Sequence, residues 1–287
     1  METQTYRGYL IAKSPLHHGG DEQSGATALV RRHKYLSSDG RVLNVPVISG
    51  NSIRGNMRRM VMGDMLYRIG YGELKNAKVY HMLFAGGSLE SVDVGDSGKI
   101  DVGMKKKYRL GIPPLGLFGT SIGNQMIEGR LKVGHAIPLC KEIAPMLAPD
   151  GEVRQLADLK DIISSARQRS YYELLGHDFQ TRRDDLHEER EEGEAAHQMK
   201  VDLETVAMGT VFEHTFALWN TSPIEAAVLG RAMELWRTRP YVGGKSGSGY
   251  GRVGIYYDVP DQAPWLNYMR EHADDLKTII ADLEATI

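Results

Sequence analysis

Asn51, Ser52, Arg54 and Arg58 open a segment whose apolar residues Ile53, Met57, Met60, Val61 and Met65 recur at helical spacing. Arg54 and Arg58 are one turn apart, so both guanidinium groups leave the same side of that predicted helix. Asn51 and Ser52 are residue types that cap a first turn. Free N-terminal amides beside two arginines make an anion site suited to phosphate. The competing reading is a solvated amphipathic face. A second group, Gly243-Gly244-Lys245-Ser246, sets backbone amides beside an ammonium and a hydroxyl. It suits contact with a polyphosphate backbone, or it is a plain flexible turn.

Other chemistries fit less well. Arg239 stands where a Walker loop needs its first glycine, and no periodic helix follows Ser246. Gly247, Gly249 and Gly251 are spaced G-x-G-x-G and lead into a strand, which fails the dinucleotide fingerprint. His17-His18 with Asp21 and Glu22 supply ligand types for a divalent cation, yet adjacent histidines in a strand point to opposite faces and no third ligand lies at fitting spacing. An acid in this loop could still help a ribose 2′-hydroxyl attack its neighbouring phosphate, which makes Asp21 the candidate for hydrolysis. A G-x-S-x-G elbow is missing, so a Ser-His-Asp hydrolase has no support. Asn220-Thr221-Ser222 fits a glycosylation acceptor only formally.

These groups need elements to hold them. Residues 6–13 read as an opening strand, followed by a loop over 14–25, a short strand over 28–35 and an extended segment over 42–48. After the arginine-bearing helix, residues 70–115 mix apolar pieces with glycine and the run Lys105-Lys106-Lys107, as an insertion would. Residues 115–134 are rich in glycine. Residues 165–200 have few aliphatics and many charges, which predicts an exposed arm. A strand over 206–219 leads to Ser222-Pro223-Ile224-Glu225, a capping box with proline at the first helical position, and a helix to about Trp236. A strand over 253–259 and one amphipathic helix over 265–283 close the chain. This order predicts an α+β fold with helices on one face of an antiparallel sheet, as in RNA-recognition folds.

The 287 residues carry 35 Lys or Arg and 37 Asp or Glu, an ordinary globular balance with net charge -2. That charge is unevenly placed. Residues 184–194 carry -6 and residues 261–287 carry -4, which leaves +8 elsewhere, and residues 1–60 alone carry +5. Segregation of this kind fits a polyanion on one face. A single cysteine, Cys140, excludes a disulfide framework and any multi-cysteine zinc site. With no cationic leader and no bilayer-length apolar run, the expected location is cytoplasmic, with no membrane partner and no cofactor.

Taken in order, these segments resemble the RAMP superfamily, specifically the backbone subunit of CRISPR effector complexes. Ser14-Pro15-Leu16-His17-His18-Gly19-Gly20 looks like the loop after that family's first strand. Val45-Pro46-Val47-Ile48-Ser49-Gly50-Asn51-Ser52-Ile53-Arg54-Gly55 is close to its proline, glycine, serine, basic, glycine pattern. Leu117-Phe118-Gly119 resembles the central motif, and Gly209-Thr210-Val211-Phe212 with the stretch from Gly243-Gly244 to Arg252-Val253 resembles the closing strand and glycine-rich loop. Five such segments in order are more specific than any one of them.

The resemblance implies a modified RRM (ferredoxin-like) core over 1–61, 116–170 and 201–260, with an inserted helical segment over 62–115. It also implies a protruding thumb hairpin over 171–200 and a C-terminal helix over 261–287. It implies guide-RNA contacts from Asn51, Ser52, Arg54, Arg58, Gly243, Gly244, Lys245 and Ser246, with Arg31, Arg32 and Lys34 lining the channel and Arg182 and Arg183 facing the target. The implied partners are the guide RNA, head-to-tail copies of the chain, a smaller RAMP subunit, a large subunit, complementary target DNA or RNA, and a helicase. Type III members cut target RNA with an aspartate in a Gly, apolar, Asp pattern; here the matching stretch is Gly25-Ala26-Thr27, and Thr27 cannot be that acid. The pattern is therefore most similar to the type IV backbone subunit, read as non-catalytic. Two alternatives remain beside it: a type III-like metal-dependent endoribonuclease using Asp21 or Glu22, and a free-standing RNA-binding module.

Overall fold

The computed structural model describes residues 3–25, 27–37, 39–87, 101–123, 125–147, 159–183 and 198–287. In chain order the elements are β1 (Thr3–Ala12), β2 (Gly19–Ser24), β3 (Thr27–Val30), β4 (Arg32–Leu36), β5 (Val42–Pro46), α1 (Gly50–Arg68), α2 (Ala77–Phe84), α3 (Val102–Gly111) and α4 (Pro113–Phe118). Then come β6 (Thr120–Ile122), β7 (Gln125–Ile127), β8 (Leu131–Val133), β9 (Ile137–Pro138), α5 (Lys160–Ala166), β10 (Leu175–Arg183) and β11 (Gln198–Val206). The last are β12 (Val211–Trp219), α6 (Pro223–Thr238), β13 (Val253–Tyr257), α7 (Ala263–Glu271) and α8 (Ala273–Thr286).

The central sheet has the order β13-β1-β12-β8, all antiparallel, with β9 also on β12. With α1 between its first two strands in sequence and α6 between its last two, this is the β-α-β-β-α-β arrangement. Alternation along β1 explains the layering: Leu10 joins the large core with α1 and α6, while Tyr9 and Ile11 turn to a smaller cluster with Ile163 and Ala166 of α5. Helix α1 buries Ile53, Met57, Val61 and Met65 as its spacing predicts, which leaves Arg54 and Arg58 on the neighbouring flank. Helix α6 begins with the predicted capping box: the Ser222 Oγ accepts from the Glu225 N–H, and the Glu225 carboxylate accepts from the Ser222 N–H.

Several local expectations change. The 14–25 loop contains β2, whose residues Gly19-Gly20-Asp21-Glu22-Gln23-Ser24 have no apolar face to signal a strand; it is held by pairing with β3. The strand expected over 28–35 divides at Arg31, because β3 joins a sheet ordered β10-β11-β3-β2 while β4 pairs with β5. Asn51 and Ser52 lie inside the first turn of α1, since Ser49 holds the N-cap position. The closing helix is two helices, parted at His272, whose φ of -116° and ψ of 28° leave the helical region. Helix α1 runs to Arg68, past residue 61. The arm expected up to residue 200 contains β10, and its partner β11 crosses that boundary: the two form an antiparallel pair from Leu175 opposite Val206 to Arg183 opposite Gln198. The acidic run at 184–194 lies outside the described residues.

Candidate nucleic-acid interface

A cleft of about 700 Å³ opens at the N-terminus of α1, between Gly86-Gly87, the turn from α4 into β6, and the β7–β8 segment. Gly50, Asn51, Arg54, Arg58, Lys132 and His135 are among its lining residues. Gly50 fits because a side chain there would meet the carbonyls of Val133 and Gly134, so α1 can start hard against β8. Gly129 likewise leaves space for the Arg54 guanidinium, 2.7 Å from where its missing Cβ would lie.

Arg54 is half-buried and Arg58 is only 6% exposed. Both direct Nη2 at the Phe118 carbonyl, Arg58 at 2.7 Å, and the Arg58 guanidinium also lies 5.8 Å from the Phe118 ring centroid. Arg54 Nε and Arg58 Nη1 are buried with no hydrogen-bond partner among the described residues. Neither guanidinium has a carboxylate in ion-pair range among those residues, and Glu128 on the cleft's lining bonds instead to Lys132 at 2.8 Å. Burial first, and the like charge of Arg54 second, pull the Arg58 pKa down to about 10. Two cations held close, short of donors' partners and beside helix amides, form a site that an anion would complete.

The first amides of α1 are partnered by histidines. The Ser49 N–H donates to His18 Nε2 at 3.1 Å, and the Gly50 N–H donates to His135 Nδ1 at 3.2 Å. Burial, then the charge of Arg31, lower the His18 pKa to about 4, so at neutral pH this ring is an uncharged acceptor. Because the folded value lies below the ordinary 6.5, the stability it supports is present above pH 6.5 and is lost as pH falls towards 4. Thermal melts from pH 7 down to 5 should therefore show a steeper loss for the wild type than for His18→Gln; parallel curves would contradict this role.

Hydrogen bonds bring two of the sequence-predicted segments, the His17-His18 loop and the 243–251 loop, to the start of α1. His17 Nδ1 bonds to the Glu204 carbonyl at 2.8 Å, and the His17 carbonyl accepts from the Gly244 N–H at 2.8 Å. His17-His18 thus ties the 243–251 loop to the start of α1, and Asn56 adds a 3.1 Å bond to the Tyr241 carbonyl. Lys245 adopts a left-handed φ of 58° and approaches Gln180 of β10 at 3.5 Å, while Ser246 is exposed beside it. Arg31 is half-buried near His18, and Lys34 is exposed on β4. Arg32 pairs with the buried Glu204. Asp21 and Glu22 are exposed on β2, and no cluster of three metal-ligating side chains occurs among the described residues. Arg182 and Arg183 stand in β10, and their side chains lie outside the described residues. Sequence reasoning missed Lys132 and His135, which reach the cleft only because β8 docks against Gly50.

A β-α-β-β-α-β core carrying a second sheet and a basic cleft at the start of α1 defines an RRM-like protein with insertions. The RAMP superfamily model matches residues 9–254, and the chain belongs to that superfamily. A chain in a solved structure titled "Type IV-B CRISPR Complex" has the same fold, with a TM-score of 0.60 and 20% identity over 89% of this chain and 90% of that one. No curated protein matches the chain. No described helix is long and apolar enough to cross a membrane.

Proposed function

We propose that this chain is the guide-RNA-binding backbone subunit of a type IV-like CRISPR ribonucleoprotein. It polymerises head to tail along the guide and presents it for pairing with complementary DNA or RNA, beside a smaller RAMP subunit, a large subunit and a helicase. The observation that carries this reading is the pair of half-buried Arg54 and buried Arg58, which have no carboxylate partner among the described residues, at the start of α1 on a cleft of about 700 Å³. Phosphates bound there by the amides of Asn51 and Ser52 and by the two arginines fix the register of the strand without reading its sequence, which base pairing supplies. Lys245, Ser246, Arg31 and Lys34 extend the path, and the β10–β11 pair acts as the thumb. An interface between unlike surfaces that does not close generates an open helix, and an RNA of fixed length ends it. The role is structural, since Thr27 stands where cutting relatives carry their acid.

Co-expression with a guide should yield a multimer carrying RNA of discrete length. Arg54→Ala with Arg58→Ala should strip most of that RNA and lower the salt slope of binding by about 1.4, the value for two single-strand phosphate contacts. Unchanged RNA content would remove the cleft from the reading. Complementary RNA should remain uncut; regular cleavage that Asp21→Ala abolishes would replace this reading with the endoribonuclease one, and an RNA-bound monomer would replace it with the free-standing module.

A further inference from the structure

Beside the α1 cleft lies a second, smaller one of about 160 Å³, lined by Arg109, Glu128, Gly129, Arg130, Trp219 and Asn220. Glu128 and Gly129 line both, so the two are adjacent. Of the three tryptophans, Trp236 and Trp265 are fully buried, whereas Trp219, at the end of β12, is 46% exposed. Its position is fixed: the Trp219 N–H donates to the Arg130 carbonyl at 2.9 Å, and Lys132 Nζ lies 5.6 Å from the ring centroid. Asn220 follows in a left-handed turn with φ 51°. Arg130 is anchored by Glu225 at 2.7 Å, the same carboxylate that caps α6.

Arg109 differs from its neighbours. Glu225 serves Arg130 and Glu128 serves Lys132, while Arg109 forms no ion pair among the described residues and its buried Nε has no hydrogen-bond partner there. The charges of Glu225 and Glu128 act on Arg109 from beyond ion-pair range, and an accessible indole beside a guanidinium with a buried, unpartnered Nε is a combination that stacks a base and takes up its phosphate. The cleft is about half the smallest usual small-molecule site, so it suits one ring of a longer ligand rather than a whole free ligand.

Resting on the RNA-binding reading above, we propose that Trp219 and Arg109 form a nucleotide subsite that stacks one unpaired base of the bound RNA on the indole and takes its phosphate on Arg109. Since Trp219 alone among the tryptophans is accessible, its emission reports occupancy. The test titrates the full chain with fluorescein-labelled oligouridylate, following anisotropy and tryptophan emission together. Emission should quench in step with binding, Trp219→Leu should weaken binding about tenfold, the effect of one stacked base, and Trp219→Phe should restore most of it. Arg54→Ala with Arg58→Ala should bind more weakly yet quench when saturated. Binding without quenching, with Trp219→Leu as tight as the wild type, would overturn the subsite and leave the RNA-binding reading standing. Failure of the wild type to bind would overturn that reading itself. Quenching by uridine monophosphate at micromolar concentration would assign the shelf to a free nucleotide and overturn the strand assignment.

Discussion

Replacing Glu204 with leucine is expected to cost about 3–5 kcal/mol of stability, the usual penalty for stranding one partner of a buried ion pair. Glu204 is 4% exposed and its carboxylate serves two elements at once, accepting from Arg32 and, at 2.9 Å, from the Val30 N–H of β3. Its own carbonyl accepts from His17. Among the described residues, β11 meets β3 in parallel through Asp202 opposite Thr27 and Leu203 opposite Ala28, and the side-chain bonds of Glu204 add to this short junction between β11 and the β2–β3 hairpin. Arg32→Leu combined with Glu204→Leu should recover about half of the loss, leaving about 1–3 kcal/mol for the orphaned Val30 amide. Urea unfolding of the four chains in this cycle measures the coupling, and hydrogen exchange across β3 and β11 locates it. Strict additivity would mean that Arg32 and Glu204 do not act as a pair. The cycle also bears on the proposed function: a guanidinium committed to Glu204 is not free to neutralise a phosphate, so if the chain binds RNA as proposed, Arg32→Leu should leave the salt slope of that binding unchanged.

How far the sequence reached depends on whether an element announces itself by period. The helix bearing Arg54 and Arg58 was legible because Ile53, Met57, Val61 and Met65 repeat with its turn, and the start of α6 because Ser222 and Glu225 form a local capping box. The β2 strand was not legible, since Gly19–Ser24 has no buried face and exists through β3. Arg54 and Arg58 emerged from spacing alone, but their burial against Phe118 and the absence of carboxylates within reach among the described residues follow from α4 and β8 folding back over α1. The histidine caps are equally non-local. His18 and His135 are 117 residues apart in the numbering, and they serve consecutive amides, Ser49 and Gly50. Trp219 carried no signal as a lone aromatic at a strand end until Arg109, distant in sequence, was placed beside it.

Replacing Arg58 with methionine should separate stability from binding. A cation whose pKa is drawn down to about 10 by burial and by Arg54 holds its charge at neutral pH at a cost on the order of 3 kcal/mol. Because the folded value lies below the ordinary one, that cost applies in full below pH 10 and fades only above it. Methionine keeps the buried stem and removes the charge, while Arg54 still donates to the Phe118 carbonyl, so that oxygen is not stranded. After allowing for the lost hydrogen bond, a net gain of about 1–2 kcal/mol is expected, read as a higher thermal midpoint in the RNA-free chain. RNA retention should fall at the same time, and adding RNA should raise the wild-type midpoint more than that of the variant, because a bound phosphate supplies a counter-charge that Arg58 does not find among the described residues. A variant less stable than the wild type without RNA would mean that the Phe118 contact outweighs the buried charge. Equal stabilisation of both chains by RNA would mean that phosphate sits elsewhere on the cleft. The expected pair of outcomes, stability gained and ligand lost, is what distinguishes a cation kept for binding from one kept for folding.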